Sequence, residues 1–173
     1  LKKIFCLVLP LLLFVLSGCQ GNQTVEESKN MLNIGVVGSK PSVNEENVQF
    51  IELTLDRLIK DQNITLDALF IMPDKLQEAS KKPYKPIYKT GKYSIYFVDS
   101  ASSYLPFTED DMTYESAPKI KDGMYIMGIL KGTNKEVIKI KGYGLKDDKK
   151  TDKNIKEVYS TVFLDIATDK YLK

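Results

Sequence analysis

Apolar runs of two lengths interrupt the polar background of this chain. The first, residues 4–16 (IFCLVLPLLLFVL), follows Lys2 and Lys3 and carries no charge over thirteen positions. The others are shorter and bounded by turn formers. Residues 32–38 (LNIGVVG) and 66–72 (LDALFIM) are nearly continuous apolar stretches, as strands buried on both faces would be. Residues 48–53 and 93–98 (YSIYFV) are two more β candidates, the second rich in aromatic and β-branched side chains. Leu55, Leu58 and Ile59 at i, i+3, i+4 behind Thr54 predict a short helix with a threonine cap. Pro73-Asp74 suits a helix's first turn, so a helix is expected from there to about Lys81, with Pro83 and Pro86 breaking the pattern after it. Residues 124–130 and 136–141 flank Gly132-Thr133-Asn134, and Ile138 and Ile140 alternate with Lys139 and Lys141, which predicts an antiparallel hairpin with one wet face. From Thr151 onward Ile155, Val158, Tyr159, Val162, Phe163, Ile166 and Ala167 recur at helical spacing, the clearest helix in the chain.

Strands alternating with helices, then a hairpin and a closing helix, predict an α/β fold. Its sheet is expected to be mixed and mostly parallel, with flanking helices and an antiparallel hairpin edge, a flavodoxin-like or thioredoxin-like sandwich. The tight place is residues 39–47, nine residues between the first two strands, because a parallel crossover normally takes about a dozen or more.

Composition narrows the chemistry. With 173 residues, 43% hydrophobic and 28% charged, the chain has the make-up of one folded domain. It contains no histidine and no tryptophan, and its two cysteines are Cys6 and Cys19. The segment after Cys19 therefore lacks the residues for disulfides, Cys/His zinc sites, histidine general bases and Ser-His-Asp or Cys-His nucleophiles. Without Lys2 and Lys3 the two signs of charge balance, which argues against a nucleic-acid partner.

The run 4–16 ends in Leu16-Ser17-Gly18-Cys19. As a helix it spans about 20 Å, short of the ~30 Å hydrocarbon core, so it reads as a cleavable signal segment rather than a permanent span. The four residues resemble the lipobox of bacterial lipoproteins: a leucine, two small residues and a cysteine. That resemblance implies cleavage before Cys19, a diacylglyceryl thioether on its thiol, and a lipid-anchored protein on the extracytoplasmic face of a cell membrane. Cys6, inside the apolar run, is given no role. Leu1 is read as a non-AUG start. Arg57 is the only arginine among 25 basic residues, a bias typical of AT-rich genomes, so a Gram-positive source is expected. The organisation that follows is a signal peptide over 1–18, a lipidated cysteine and polar tether over 19–31, and one α/β domain over 32–173. The tether, QGNQTVEESKN over residues 20–30, has a root-mean-square span of roughly 20 Å as a coil.

Two segments carry candidate chemistry. Gly35, Gly38, Ser39 and Lys40 partly resemble a phosphate loop, but neither P-loop nor dinucleotide spacing is met and Pro41 stands where the hydroxyl would be, so a strand-end turn is expected. Residues 100–118 (SASSYLPFTEDDMTYESAP) have no helical or strand period, follow a central strand, and supply Tyr104, Phe107, Glu109, Asp110, Asp111, Tyr114 and Glu115. Two readings of these residues stand side by side. In one the acids cap helices and face solvent. In the other some of the seven contact a ligand or an ion, although the spacing is not that of an EF-hand. No metal or cofactor is expected. The functional expectation is a surface lipoprotein whose domain binds a protein or small molecule without catalysis. The alternatives are a carboxylate-dependent hydrolase of cell-envelope polymers and a small solute-binding accessory lipoprotein.

Overall fold

The computed structural model describes residues 31–90, 92–120, 123–131 and 139–171. The run 4–16, Cys6, Cys19, the tether 20–30 and the turn Gly132-Thr133-Asn134 lie outside the described residues, as do Glu136 and Ile138 of the expected hairpin.

The strands are β1 (Leu32–Val37), β2 (Val48–Leu53), β3 (Ala68–Ile71), β4 (Ser94–Val98), β5 (Met124–Leu130) and β6 (Lys139–Gly144). They form one sheet in the order β2-β1-β3-β4-β5-β6. The first four are parallel, while β5 runs antiparallel to β4 and β6 antiparallel to β5. This is the α/β architecture with a mostly parallel centre and an antiparallel edge. Its first four strands take the order of flavodoxin-like sheets.

The central strands are buried on both faces because each face is covered. One face lies under α5 (Asp152–Tyr171), whose Val158, Tyr159, Val162, Phe163 and Ile166 pack on Leu32, Ile34, Val36, Phe70, Tyr96 and Ile126. Phe163 stacks on Phe70 with centroids 6.0 Å apart and planes 9° apart. The helix starts where expected: the Thr151 hydroxyl accepts from the Asn154 amide at 3.2 Å, a threonine cap. The other face lies under four short helices, α1 (Leu55–Lys60), α2 (Leu76–Ala79), α3 (Lys85–Lys89) and α4 (Leu105–Thr108). Their Leu55, Leu58, Leu76, Ile87, Tyr88 and Phe107 meet Leu69, Ile71, Ile95 and Phe97 of the sheet.

Three local expectations change. The helix expected from Pro73 is a 3₁₀ turn, Pro73–Lys75, running into the single turn of α2. Pro83 and Pro86 do not interrupt structure: each sits at the start of a helical turn, the 3₁₀ turn Lys82–Tyr84 and α3, where a missing amide hydrogen costs nothing. The last strand, described over Lys139–Gly144, runs beyond Lys141 and is exposed except at Tyr143, with Ile140 36% exposed, because β6 is the sheet edge and α5 reaches it at Tyr143.

The short β1–β2 connection is accommodated without a helix. Ten residues can reach about 33 Å, more than the ~20 Å length of a six-residue strand, so an extended segment suffices. Pro41 is buried, Val43 packs beneath α5, and the Ser160 hydroxyl of that helix donates to Glu45 Oε1 at 2.6 Å. The Leu32 amide donates to the Asn47 carbonyl at 2.8 Å and sets the register of the parallel pair.

Candidate functional site

The segment 100–118 folds back over the second face of the sheet as a closed loop. Its ends are held together by the Ile120 amide, which donates to the Ala101 carbonyl at 2.9 Å, and by a bridge between Ser102 and Lys119. The seven candidate residues separate into two layers. Phe107 has no exposed surface; its ring lies on Phe97 and meets Tyr88 edge-on, with centroids 5.7 Å apart. Tyr104 and Tyr114 are partly buried against the same cluster, and the Tyr114 hydroxyl accepts from the Ala101 amide at 2.9 Å. The outer layer is acidic. Glu109, Asp110, Asp111 and Glu115 are exposed, Asp110 is 2.8 Å from Lys89 Nζ, and Glu115 accepts from the Gln77 amide group.

Lys85 explains this layering. Only 2% exposed, it donates from Nζ to the carbonyls of Pro106 (3.0 Å), Met112 (2.7 Å) and Glu109. All three ammonium hydrogens are used, and the loop is tied to α3. Burial pushes the Lys85 ammonium below its usual range, while Asp110, Glu109 and Asp111 act in the opposite direction. The acidic run thus answers a buried lysine some 25 positions upstream. The Lys89 ammonium bonded to Asp110 holds that carboxyl below the ordinary carboxylate range. Among the described residues no group of three or more acids has the arrangement of a metal site.

A concave site lies elsewhere. β1 and β3 are neighbours, but the chain leaves β1 toward β2 and leaves β3 toward β4, so their carboxyl ends diverge. Ligands of open α/β sheets lie at such a switch point. Here it holds a cleft of about 750 Å³, walled by residues 39–43 on one side, Met72, Pro73 and Asp74 on another, and Tyr125, Asp152, Ile155, Lys156 and Tyr159 on the rest. Gly38 makes the turn into the first wall with φ of 108°, a conformation that L side chains rarely adopt. A Cβ there would lie 2.6 Å from Asp74 Oδ1 and 2.8 Å from Met72 Cβ. The Ser39 amide donates to Asp74 Oδ1 at 3.0 Å, so at this strand end the chain's own carboxylate faces the amide that a phosphate loop would turn to its ligand.

Two phenols line this cleft. Tyr159 is 2% exposed and sits in the ring cluster of α5, 5.8 Å from Phe70. Its hydroxyl makes no hydrogen bond among the described residues. Since no buried side-chain nitrogen or oxygen among them lacks a partner, that hydroxyl keeps contact with the open cleft. Tyr125 is half-buried, with Lys150 Nζ 5.7 Å from its ring centroid, and Lys150 pairs with Asp99. Burial first, then the neighbouring Tyr125 and Asp99, push the Tyr159 hydroxyl well above the usual phenol range, so it stays a neutral donor.

The sequence reading missed this cleft as a site. Its walls come from four separated segments, and Tyr159 reads along the chain as one more member of an apolar helical stripe. The only local signals were the Gly38-Ser39 turn and the Pro73-Asp74 pair, each with an adequate structural explanation by itself. No helix among the described residues is long and apolar enough to cross a membrane. Comparison with protein-family models, with curated proteins and with solved structures finds no match to this chain.

Proposed function

We propose that the chain is a lipoprotein held at the extracytoplasmic face of a cell membrane through Cys19, and that its α/β domain is a binding module that performs no catalysis. Two buried acyl chains, at about 0.8 kcal/mol per methylene, give stable anchoring where one chain is marginal. The observation that carries the binding role is the position of the cleft. Residue 31 leads into β1 at the amino edge of the sheet, and the cleft opens at the carboxyl edge. A domain tethered at its amino edge presents this cleft away from the bilayer, toward whatever lies outside.

Within the acidic loop, Asp110 does not suit the general acid that a carboxylate-dependent hydrolase needs. A general acid needs a carboxyl raised toward the working pH, and Asp110 is shifted the other way by Lys89. Metabolic labelling with a radioactive fatty acid tests the anchor. Label is expected on the wild-type chain and none on Cys19→Ala, which should be released into the medium or remain uncleaved. Label persisting on Cys19→Ala would remove the lipid anchor from the proposal.

A further inference from the structure

We propose that the carboxyl-edge cleft binds a neutral, hydroxyl-rich ligand of mono- or disaccharide size, with the Tyr159 hydroxyl as its deepest hydrogen-bonding contact. This rests on the binding role proposed above and is independent of the lipid anchor.

Of the charged groups around the cleft, Asp74, Lys40 and Lys150 have contacts of their own, whereas the two phenol hydroxyls have no hydrogen-bond partner among the described residues. Asp74 accepts from the Ser39 amide, Lys40 Nζ lies 5.6 Å from the Phe50 ring centroid, and Lys150 pairs with Asp99. Lys156 and Asp152 are exposed on the first turns of α5 and balance each other in sign. A lining whose charges cancel offers no net attraction to an anion or a cation. At depth stands Tyr159, nine-tenths and more buried, with a hydroxyl that has no partner among the described residues. Because that hydroxyl keeps contact with the cleft, a ligand that fills the cleft must bond to it or leave it unpaired, and one that can both donate to and accept from it gains most there. The Tyr125 hydroxyl has no hydrogen-bond partner among the described residues either. Beside these two groups lie the apolar surfaces of Met72 and Ile155. Hydroxyls at spaced positions together with apolar C–H faces describe a sugar ring. The volume of about 750 Å³ suits a ligand of that size.

The test uses the full-length chain purified in a detergent without a sugar headgroup. It is titrated calorimetrically with glucose, galactose, N-acetylglucosamine, maltose and chitobiose, and in parallel with inorganic phosphate and the dipeptide Ala-Ala. Saturable binding of at least one sugar is expected, weakened about tenfold by Tyr159→Phe, since a site built to hydrogen-bond a group loses much of its affinity when one partner is deleted. The thermal midpoint of Tyr159→Phe should not fall, because the deleted hydroxyl has no bond to the fold; this separates a binding role from a structural one. Sugar binding indifferent to Tyr159→Phe would overturn the assignment of the site. Phosphate or dipeptide binding that depends on Tyr159, with no sugar response, would overturn the ligand class and leave the cleft as a binding site. Silence from every probe would overturn both.

Discussion

The ring of Phe107 lies 3.8 Å from that of Phe97, centroid to centroid, with the planes 15° apart. One residue belongs to the loop after β4 and the other to β4 itself, so the loop is part of the core. Phe107→Ala should cost about 4 kcal/mol in urea-induced unfolding, because a fully buried aromatic leaves a cavity that the surroundings fill only in part. The exposed neighbours Glu109→Gln and Asp111→Asn should each stay within about 0.5 kcal/mol of wild type. Equal costs for the two kinds of change would place Phe107 outside the core.

Lys85 and Lys89 separate a buried cation from a surface one. Lys85→Met leaves three carbonyls without their donor and should cost about 3 kcal/mol or more. Lys89→Met removes a pair in which both side chains are about half exposed and should cost under about 1 kcal/mol. Chemical denaturation of the two variants under one condition gives the comparison, and a Lys85→Met as stable as wild type would mean that the loop is held by other means.

Gly38→Ala should lower stability by about 2–3 kcal/mol, from the positive φ together with the contact against Asp74 and Met72. A thermal midpoint lowered by several degrees is the expected reading. An unchanged midpoint would show that the turn into the cleft wall tolerates a side chain.

Asp165 supplies a pH dependence. Partial burial raises its carboxyl, but the hydrogen bonds from Lys141 Nζ and the Tyr143 hydroxyl (2.7 Å) outweigh it and hold the group below the usual range. A carboxyl lowered in the folded state stabilises above its unfolded value, near 4, and that contribution is lost as pH falls through the folded value. Urea midpoints measured from pH 6 down to pH 2 should therefore drop less steeply for Asp165→Asn than for wild type. Parallel curves would contradict this.

The sheet and the long helix were legible because their burial is written into contiguous residues. β1, β3 and β4 are covered on both faces and so form nearly unbroken apolar runs, and α5 repeats its contacts at every turn. The small helices α3 and α4 were not, since Pro86 reads along the chain as a breaker and acts in the fold as a first-turn residue, and the single turn of α4 is too short to show a helical period. The order of the loop 100–118 was hidden for another reason. Its organising group, Lys85, lies outside it in sequence, and the acids that looked like candidate chemistry are the part left facing water. The cleft was hidden because it exists only once β1 and β3 diverge beneath the first turns of α5.

The central claim is that an anchored domain carries its cleft on the outside of the cell. No cysteine follows Cys19 in this chain, so Ser42→Cys, at an exposed position on the cleft wall, provides a single reporter thiol. Intact cells are treated with a membrane-impermeant maleimide, then lysed and fractionated. Labelled Ser42→Cys protein in the membrane fraction, without prior lysis, is the expected result. Labelling that requires lysis, or labelled protein that does not sediment with membranes, would contradict an externally presented, lipid-anchored binding cleft.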